Sequence, residues 1–356
     1  MQKIFNIAFV GCGFIGQLCH LSTFSKIKNC KIIALAEKRP LLAKKVAKKY
    51  NIQNVFFSHL DLIKSNLKID AVIIITKRTM TGPISYDFLK KGFNIMTEKP
   101  MACSYAEAEK LIKMQKKKKS IFCVGYNKRS DNGVLEAKQM LDNILQKNKF
   151  GKIIYVRTHR YSGTGYQGAS EEIKTLEKQK KNIEWRNSPH WIRSKKEKYA
   201  FHGYLNTFSH NINLLRFLFN EIPKVEYVDM KKNYGNLVVL KFKNFKCSVE
   251  TRDYKDNYWE EYIKIFFQNG YMKISTPPQM KKNTSAQIEV FDRNSNLISI
   301  KKNLKGWSFQ NQANVFIENL KNYEKNIISA EDSSEDIKII ENIWRKWLKK
   351  NQQNCY

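Results

Sequence analysis

The chain has 356 residues, 42% of them hydrophobic and 12% aromatic, so it is long enough for two packed domains and too apolar to be a disordered polymer. No run of about 18 apolar residues occurs, which argues against a membrane-spanning helix. The net charge of +32 admits a nucleic-acid or anionic-membrane partner, but the lysines are scattered over every predicted helix, so a specific nucleic-acid site and a membrane partner are not expected.

The opening residues, MQKIFNIAFVGCGFIG, lead straight into a strand-like run and lack the basic, apolar, small-residue order of a secretory leader. Residues 4–10 predict a buried strand, followed by GCGFIG and a helical stretch spaced by Leu18, Leu21 and Phe24. A second strand (31–37), a second helix (41–50), a short third strand (55–57), a helical turn and a fourth strand (70–76) follow. PISYDFLKKG, from Pro83, predicts a helix stopped by Gly92, then a fifth strand (93–98), a helix (105–119) and a sixth strand (121–126). Strands that alternate with helices in this way predict a parallel sheet with helical crossovers.

After about residue 130 the rhythm changes. One more helix, NGVLEAKQMLDNIL, precedes a set of alternating runs, among them 152–162, NLVVLKFKN, FKCSVETRDY and EYIKIFFQNGYMKIST. Turn residues such as Asn269–Gly270 separate them, and the pattern predicts a mostly antiparallel sheet. A final helix pair follows, the second capped by Ser333 or Ser334. The predicted division is 1–127 for the first domain and 128–356 for the second, which would carry substrate and subunit contacts. Residues 163–199 are the least regular; Trp185, Trp191 and Arg193 there either clamp a sugar or phosphate or simply anchor an excursion of the chain.

The seven cysteines include no CxxC pair, which points away from a zinc site or redox dithiol and toward a reducing cytoplasm; no metal is expected. The first motif with chemistry is Gly11-x-Gly13-x-x-Gly16, placed between a strand and a helix, with acidic Glu37 ending the next strand. The first glycine permits a tight turn, the second lets backbone approach a pyrophosphate, and the third packs helix on strand. Phe14 and Ile15 complete the turn, whose amides would face the pyrophosphate at the helix N-terminus. Glu37 can accept hydrogen bonds from a ribose diol, which favours NAD; Lys38 and Arg39 beside it suit a 2′-phosphate and keep NADP open. The second motif, TEKP from Thr97 to Pro100, ends the fifth strand, on the edge where such sheets bind ligands.

VGCGFIGQ, DAVIIIT, GFNIMTEKPMACSYAEAEKL, FCVGYNKRSD, FGKIIYVR and HGYLNTFSHNINLLRFL fall in the order of one family and span nearly the whole chain. The sequence thus resembles the Gfo/Idh/MocA family (glucose–fructose oxidoreductase and inositol dehydrogenase). The resemblance implies an N-terminal Rossmann domain and a C-terminal α/β domain with a large open, mostly antiparallel sheet, often the subunit interface in relatives. It implies that Lys99 lies between nicotinamide and the reacting hydroxyl, that Lys99–Pro100 is cis, and that Glu98 lines the cofactor side, with Thr76, Lys77 and Asn127 as further contacts. The family's catalytic aspartate and histidine, four residues apart, correspond to Asn206 and His210, so the histidine is kept and the aspartate is not. Asn206 can orient a hydroxyl or the imidazole but cannot act as a base. The family's other aspartate, three residues after the histidine, is Asn213, and TKRTMT places Lys77 and Arg78 where relatives carry a neutral pair. His159 and Arg160, at the end of the strand 152–162, are further substrate candidates.

The reading that follows is an NAD(P)-dependent oxidoreductase acting on a secondary alcohol of a sugar or nucleotide sugar, with Lys99 and His210 as catalytic groups. It would act as a homodimer or homotetramer in surface-glycan synthesis, its basic surface steering an anionic substrate. The alternatives are an inositol or polyol dehydrogenase, and a catalytically silent cofactor- or sugar-binding regulator.

Overall fold

Each strand of the first half is short, apolar and followed by a helix, and a parallel sheet buried on both faces is what that spacing builds. The computed structural model describes residues 3–163, 165–167, 169–178, 185, 188–230, 235–254, 257–302, 304–322 and 328–353, with 351–353 by backbone alone. Six parallel strands, β1 (Phe5–Val10), β2 (Cys30–Ala36), β3 (Asn54–Phe56), β4 (Ala71–Ile74), β5 (Asn94–Glu98) and β6 (Phe122–Gly125), lie in the order β3-β2-β1-β4-β5-β6. The order reverses between β1 and β4, and the crevice beyond the carboxyl ends at such a reversal is where doubly wound sheets bind ligands.

The crossovers are a π-helical stretch, Gly16–Leu21, running into α1 (Ser22–Phe24), then α2 (Pro40–Lys49), α3 (His59–Lys64), α4 (Arg78–Lys90) and α5 (Tyr105–Lys118). Ser104 accepts from the Glu107 amide at 3.3 Å while Glu107 reaches back to the Cys103 amide at 3.1 Å, a reciprocal arrangement that satisfies two donors at the start of α5. α4 begins five residues before the predicted start at Pro83, because the turn after β4 is already helical: the Met80 and Thr81 amides both bond to the Lys77 carbonyl. Pro83 therefore sits inside the helix, at the cost of one backbone hydrogen bond.

The chain divides into two compact units, and neither is one continuous stretch: the first is Met1–Tyr126, Ser170–Asn206 and Phe309–Ile337, the second Asn127–Ala169, Thr207–Ser308 and Lys338–Tyr356. Late segments join the first unit for a packing reason. α8 (Ser308–Asn322) turns Ala313, Phe316, Ile317 and Leu320 into the core built by Phe5, Ile7, Phe9, Leu21 and Phe24. Phe24 stands edge-on to both Phe9 and Phe316, at centroid distances of 5.6 and 6.2 Å.

The second unit is built on an eight-stranded sheet: β7 (Ile153–Ser162), β8 (Lys224–Asp229), β9 (Asn236–Lys241), β10 (Lys246–Asp253), β11 (Trp259–Phe267), β12 (Gly270–Ser275), β13 (Gln287–Asp292) and β14 (Leu297–Lys301), ordered β14-β13-β12-β11-β7-β10-β9-β8. Only the β7–β10 pairing is parallel; the others are antiparallel. Asp131 caps α6 (Asn132–Gln146) by accepting from the Gly133 and Val134 amides, and also accepts from the Ala286 amide at 2.9 Å. α7 (Lys195–Phe219) carries Asn206 and His210 on consecutive turns. α9 (Ala330–Gln353) starts earlier than predicted: Ser329 accepts from the Asp332 amide, while Ser333 and Ser334 bond to carbonyls one turn back. No helix among the described residues is long and apolar enough to cross a membrane.

Candidate active site

The turn after β1 shows why glycine is needed at some positions and merely permitted at another. Gly11 has φ +88°, and a Cβ there would lie 2.1 Å from the Ile75 carbonyl oxygen, so the chain closes tightly against the end of β4. A Cβ on Gly16 would lie 3.1 Å from the Gly11 oxygen. At Gly13 the nearest atom is the Arg39 guanidinium, 4.0 Å from an ideal Cβ, so the backbone there is open on its outer side. Two glycines thus serve the protein's own packing and the third leaves room for a ligand, which is the cradle a dinucleotide pyrophosphate requires. Phe14 and Ile15 are half-buried, and Ile15 packs on the hydrophobic core, so only its backbone is offered to a ligand.

Glu37 is buried at the end of β2, and its carboxylate is fully engaged. Arg39 donates to it through Nε at 2.8 Å and Nη2 at 2.9 Å, and the Cys12 amide donates at 3.0 Å. Burial pushes this carboxyl up, but the Arg39 guanidinium and the Cys12 amide outweigh it and hold it below the ordinary carboxylate range. The expected diol acceptor is therefore occupied by Arg39, while Lys38 is half-buried beside it. After β4, the Thr76 hydroxyl lies 3.4 Å from both the Lys77 carbonyl and the Thr81 hydroxyl, Lys77 is exposed, and Arg78 donates to the His202 carbonyl.

At the end of β5, Glu98 accepts from His20 at 2.8 Å and from the Lys99 amide at 3.2 Å, and Lys99–Pro100 is a cis peptide. The Lys99 ammonium donates to the Asn206 backbone carbonyl at 2.6 Å and stands 3.5 Å from its Oδ1. The lysine is thus held against α7 one helical turn before His210, which is buried.

In the second unit, Asn127 is buried and donates to Ser308 at 2.8 Å. Lys128 pairs with Glu261 in the interior; Thr276 donates to the same carboxylate at 2.8 Å and Asn211 at 3.2 Å. Burial pushes Glu261 up, yet Lys128 and then Arg160 hold it below the ordinary carboxylate range. The Arg160 guanidinium lies over the rings of Phe208 and Trp259, at 5.4 and 5.6 Å, with Asp253 at 3.4 Å. His159, its neighbour, points to the other sheet face, stacked on Tyr161 and Tyr262 at 4.4 and 5.0 Å and 3.3 Å from Glu250. Adjacent strand residues cannot share a face, so His159 and Arg160 do not line one cleft; only Arg160 is on the side of Phe208 and Asn211.

Trp185 packs edge-on to Tyr86 at 5.5 Å and under the Lys110 ammonium at 4.2 Å. Arg193 borders a separate cavity of about 530 Å3 with Trp185 and Lys198. Residues that sequence reasoning did not select include Gln17, bonded to both the carbonyl and the amide of Ile173, His20, and the Lys128–Glu261 pair. Nothing local marks Glu261, because an inward acid in an alternating strand is visible only once its cation is in place. Among the described residues no group of three or more His, Cys, Asp or Glu is arranged to hold a metal.

Residues 5–126 match the profile of an oxidoreductase family described by its NAD-binding Rossmann fold. A 2,7-anhydro-N-acetylneuraminate hydratase from Escherichia coli is 23% identical over 76% of this chain and 67% of its own length. A myo-inositol 2-dehydrogenase from Thermotoga maritima is 22% identical over 39% of this chain, and the match spans only 41% of that enzyme. The solved aldose-aldose oxidoreductase from Caulobacter crescentus, complexed with glycerol, superposes with a TM-score of 0.75 at 18% identity, covering 98% of both chains.

Proposed function

We propose, from the premise that the N-terminal domain belongs to the Gfo/Idh/MocA oxidoreductase family, that this chain moves a hydride between NAD(P) and a secondary alcohol of a sugar or nucleotide sugar. The observation that carries this reading is the Lys99 ammonium, fixed at 2.6 Å on the Asn206 carbonyl at the carboxyl end of β5. A bound nicotinamide supplies the hydride chemistry. The chain's own residues supply the rest. The glycine turn offers backbone to the pyrophosphate, Lys99 and His210 exchange the hydroxyl proton, and Asn206 orients both without acting as a base. Arg160 and Asn127 are the polar groups offered to the substrate on the second unit. Fixing reacting groups in place is itself a large part of such a rate enhancement.

A nucleotide sugar or amino sugar of surface-glycan synthesis is the favoured substrate, because a chain of net charge +32 attracts an anionic one. The E. coli relative, a 2,7-anhydro-N-acetylneuraminate hydratase, supports a sugar-related substrate; the inositol enzyme keeps a polyol as the alternative. The loss of the aspartate at Asn206 favours a silent regulator as the reading from another class. We place the enzyme in a reducing cytoplasm, where the six thiols among the described residues, five of them buried, would stay reduced. The open face of the eight-stranded sheet is the proposed surface for a homodimer or homotetramer.

Turnover of the full chain on a panel of sugars, nucleotide sugars and polyols with NAD(P) tests the reading. Lys99→Ala is expected to lower kcat by about 10²–10⁴-fold while dinucleotide affinity changes by less than about threefold. Dinucleotide binding with no turnover on any substrate would favour the regulator.

A further inference from the structure

The adenosine end of the dinucleotide reading, on which this inference rests, meets an unusual arrangement at the end of β2. An ionised carboxylate has about four lone-pair sites. In Glu37 they are matched by four nitrogen donors: Arg39 Nε at 2.8 Å and the Arg39 amide at 3.2 Å on Oε1, and Arg39 Nη2 at 2.9 Å and the Cys12 amide at 3.0 Å on Oε2. The Glu37 side chain is only 3% exposed. A ribose diol would have to break a buried bidentate ion pair to reach it.

The same pair changes the local charge. Arg39 neutralises the carboxylate that would otherwise repel a phosphate, and its Nη1 takes no part in the pair. The guanidinium remains 17% exposed, stands beside the open Gly13, and borders a cavity of about 630 Å3. Phe14, Lys45 and Lys174 also line that cavity. Its far wall is the segment 172–176, tied down by the paired Gln17–Ile173 bonds and by Glu177, which accepts from the Leu41 and Leu42 amides. Two acids stand on that side: Glu172 lines the cavity together with Arg39, Lys45 and Lys174, and Glu177, which accepts from the Leu41 and Leu42 amides, attracts the Arg39 guanidinium through space.

We propose that this chain selects the 2′-phosphorylated dinucleotide, and that Arg39, locked on Glu37, is the residue that reads the phosphate. Guanidinium matches phosphate geometry, and Lys45 and Lys174 add positive charge around the same space.

The test is equilibrium binding rather than turnover. The full chain is titrated with NADPH and with NADH by nicotinamide fluorescence, and with 2′,5′-ADP and 5′-ADP by calorimetry. The phosphorylated member of each pair is expected to bind at least about tenfold tighter. Arg39→Ala should remove that advantage while leaving NADH affinity within about threefold of the parent. Because this variant leaves a buried carboxylate without its partner, the double variant Glu37→Gln/Arg39→Ala is the control for folding, and it should show the same selective loss. NADH bound as tightly as NADPH by the parent chain overturns the proposal and leaves the oxidoreductase reading standing. So does an equal loss for both cofactors in a folded double variant. A chain that binds neither dinucleotide overturns both.

Discussion

At the scale of single residues, the chemistry turns on what Asn206 does to its neighbours. Lys99 donates to its backbone carbonyl, which any residue would supply, and only the 3.5 Å approach to Oδ1 depends on the side chain. A carboxylate at this position would favour the charged form of Lys99, and of His210 one turn along the helix, because an opposite charge nearby raises the pKa of a cationic acid. Asn206→Asp should therefore move the rising limb of the kcat/KM profile to higher pH by about one unit, with the plateau rate retained. An unmoved limb would mean that position 206 does not tune the proton step. The substitution from aspartate was readable in the sequence; that the lysine is held by main chain rather than side chain was not, since a carbonyl's role carries no residue signature.

At the scale of elements, the βα turn after β1 separates packing from binding. Gly11→Ala would put a methyl 2.1 Å from a backbone oxygen at a positive φ, and no flexible side chain can yield there. A loss of about 3 kcal/mol or more is expected, through backbone strain and displacement of β4. Gly13→Ala meets nothing closer than 4.0 Å and should leave unfolding free energy within about 0.5 kcal/mol, while weakening dinucleotide binding about tenfold or more. Denaturant melts and cofactor titrations of the two variants should therefore give opposite patterns. Two variants with the same pattern would mean the second glycine is not at a ligand face.

This turn also shows what the chain made legible. Strand, glycine spacing and acid were all local, so the Rossmann element could be read directly. The occupant of Glu37 could not, because Arg39 two residues away was equally suited to solvent or to a phosphate. His159 and Arg160 show a related limit: they are neighbours in sequence, and the pleat sends them to opposite faces. The start of α4 was hidden by Pro83, which usually marks a first turn rather than an interior.

At the scale of the molecule, the open sheet face is the feature hardest to account for in an isolated chain. The register sets Tyr155, Phe266, Tyr271, Phe291 and Ile298 in a single row across five strands. Tyr155 and Ile298 are exposed, at 36% and 57%, and Tyr271 packs on Phe291 at a centroid distance of 5.5 Å. Arg157, Lys264, Lys273 and Glu289 form the adjoining row in the same register, so the face alternates an apolar band with a charged one. A two-fold partner could lay its apolar row on this one and match Glu289 to a lysine across the axis, which satisfies the self-complementarity an isologous contact demands. Glutamate at Tyr155 would bury a charge in the apolar band, and breaking such a contact with an unpaired charge costs several kcal/mol. Sedimentation of Tyr155→Glu should then show a shift toward monomer at micromolar concentration, with the far-ultraviolet spectrum unchanged. Glutamate at Lys264, in the charged band, should weaken assembly less, and high salt should partly restore it. If the parent chain sediments as a monomer, the row is a solvent-facing surface and the assembly reading is lost, while the Lys99–Asn206 arrangement, which lies in the first unit, is untouched.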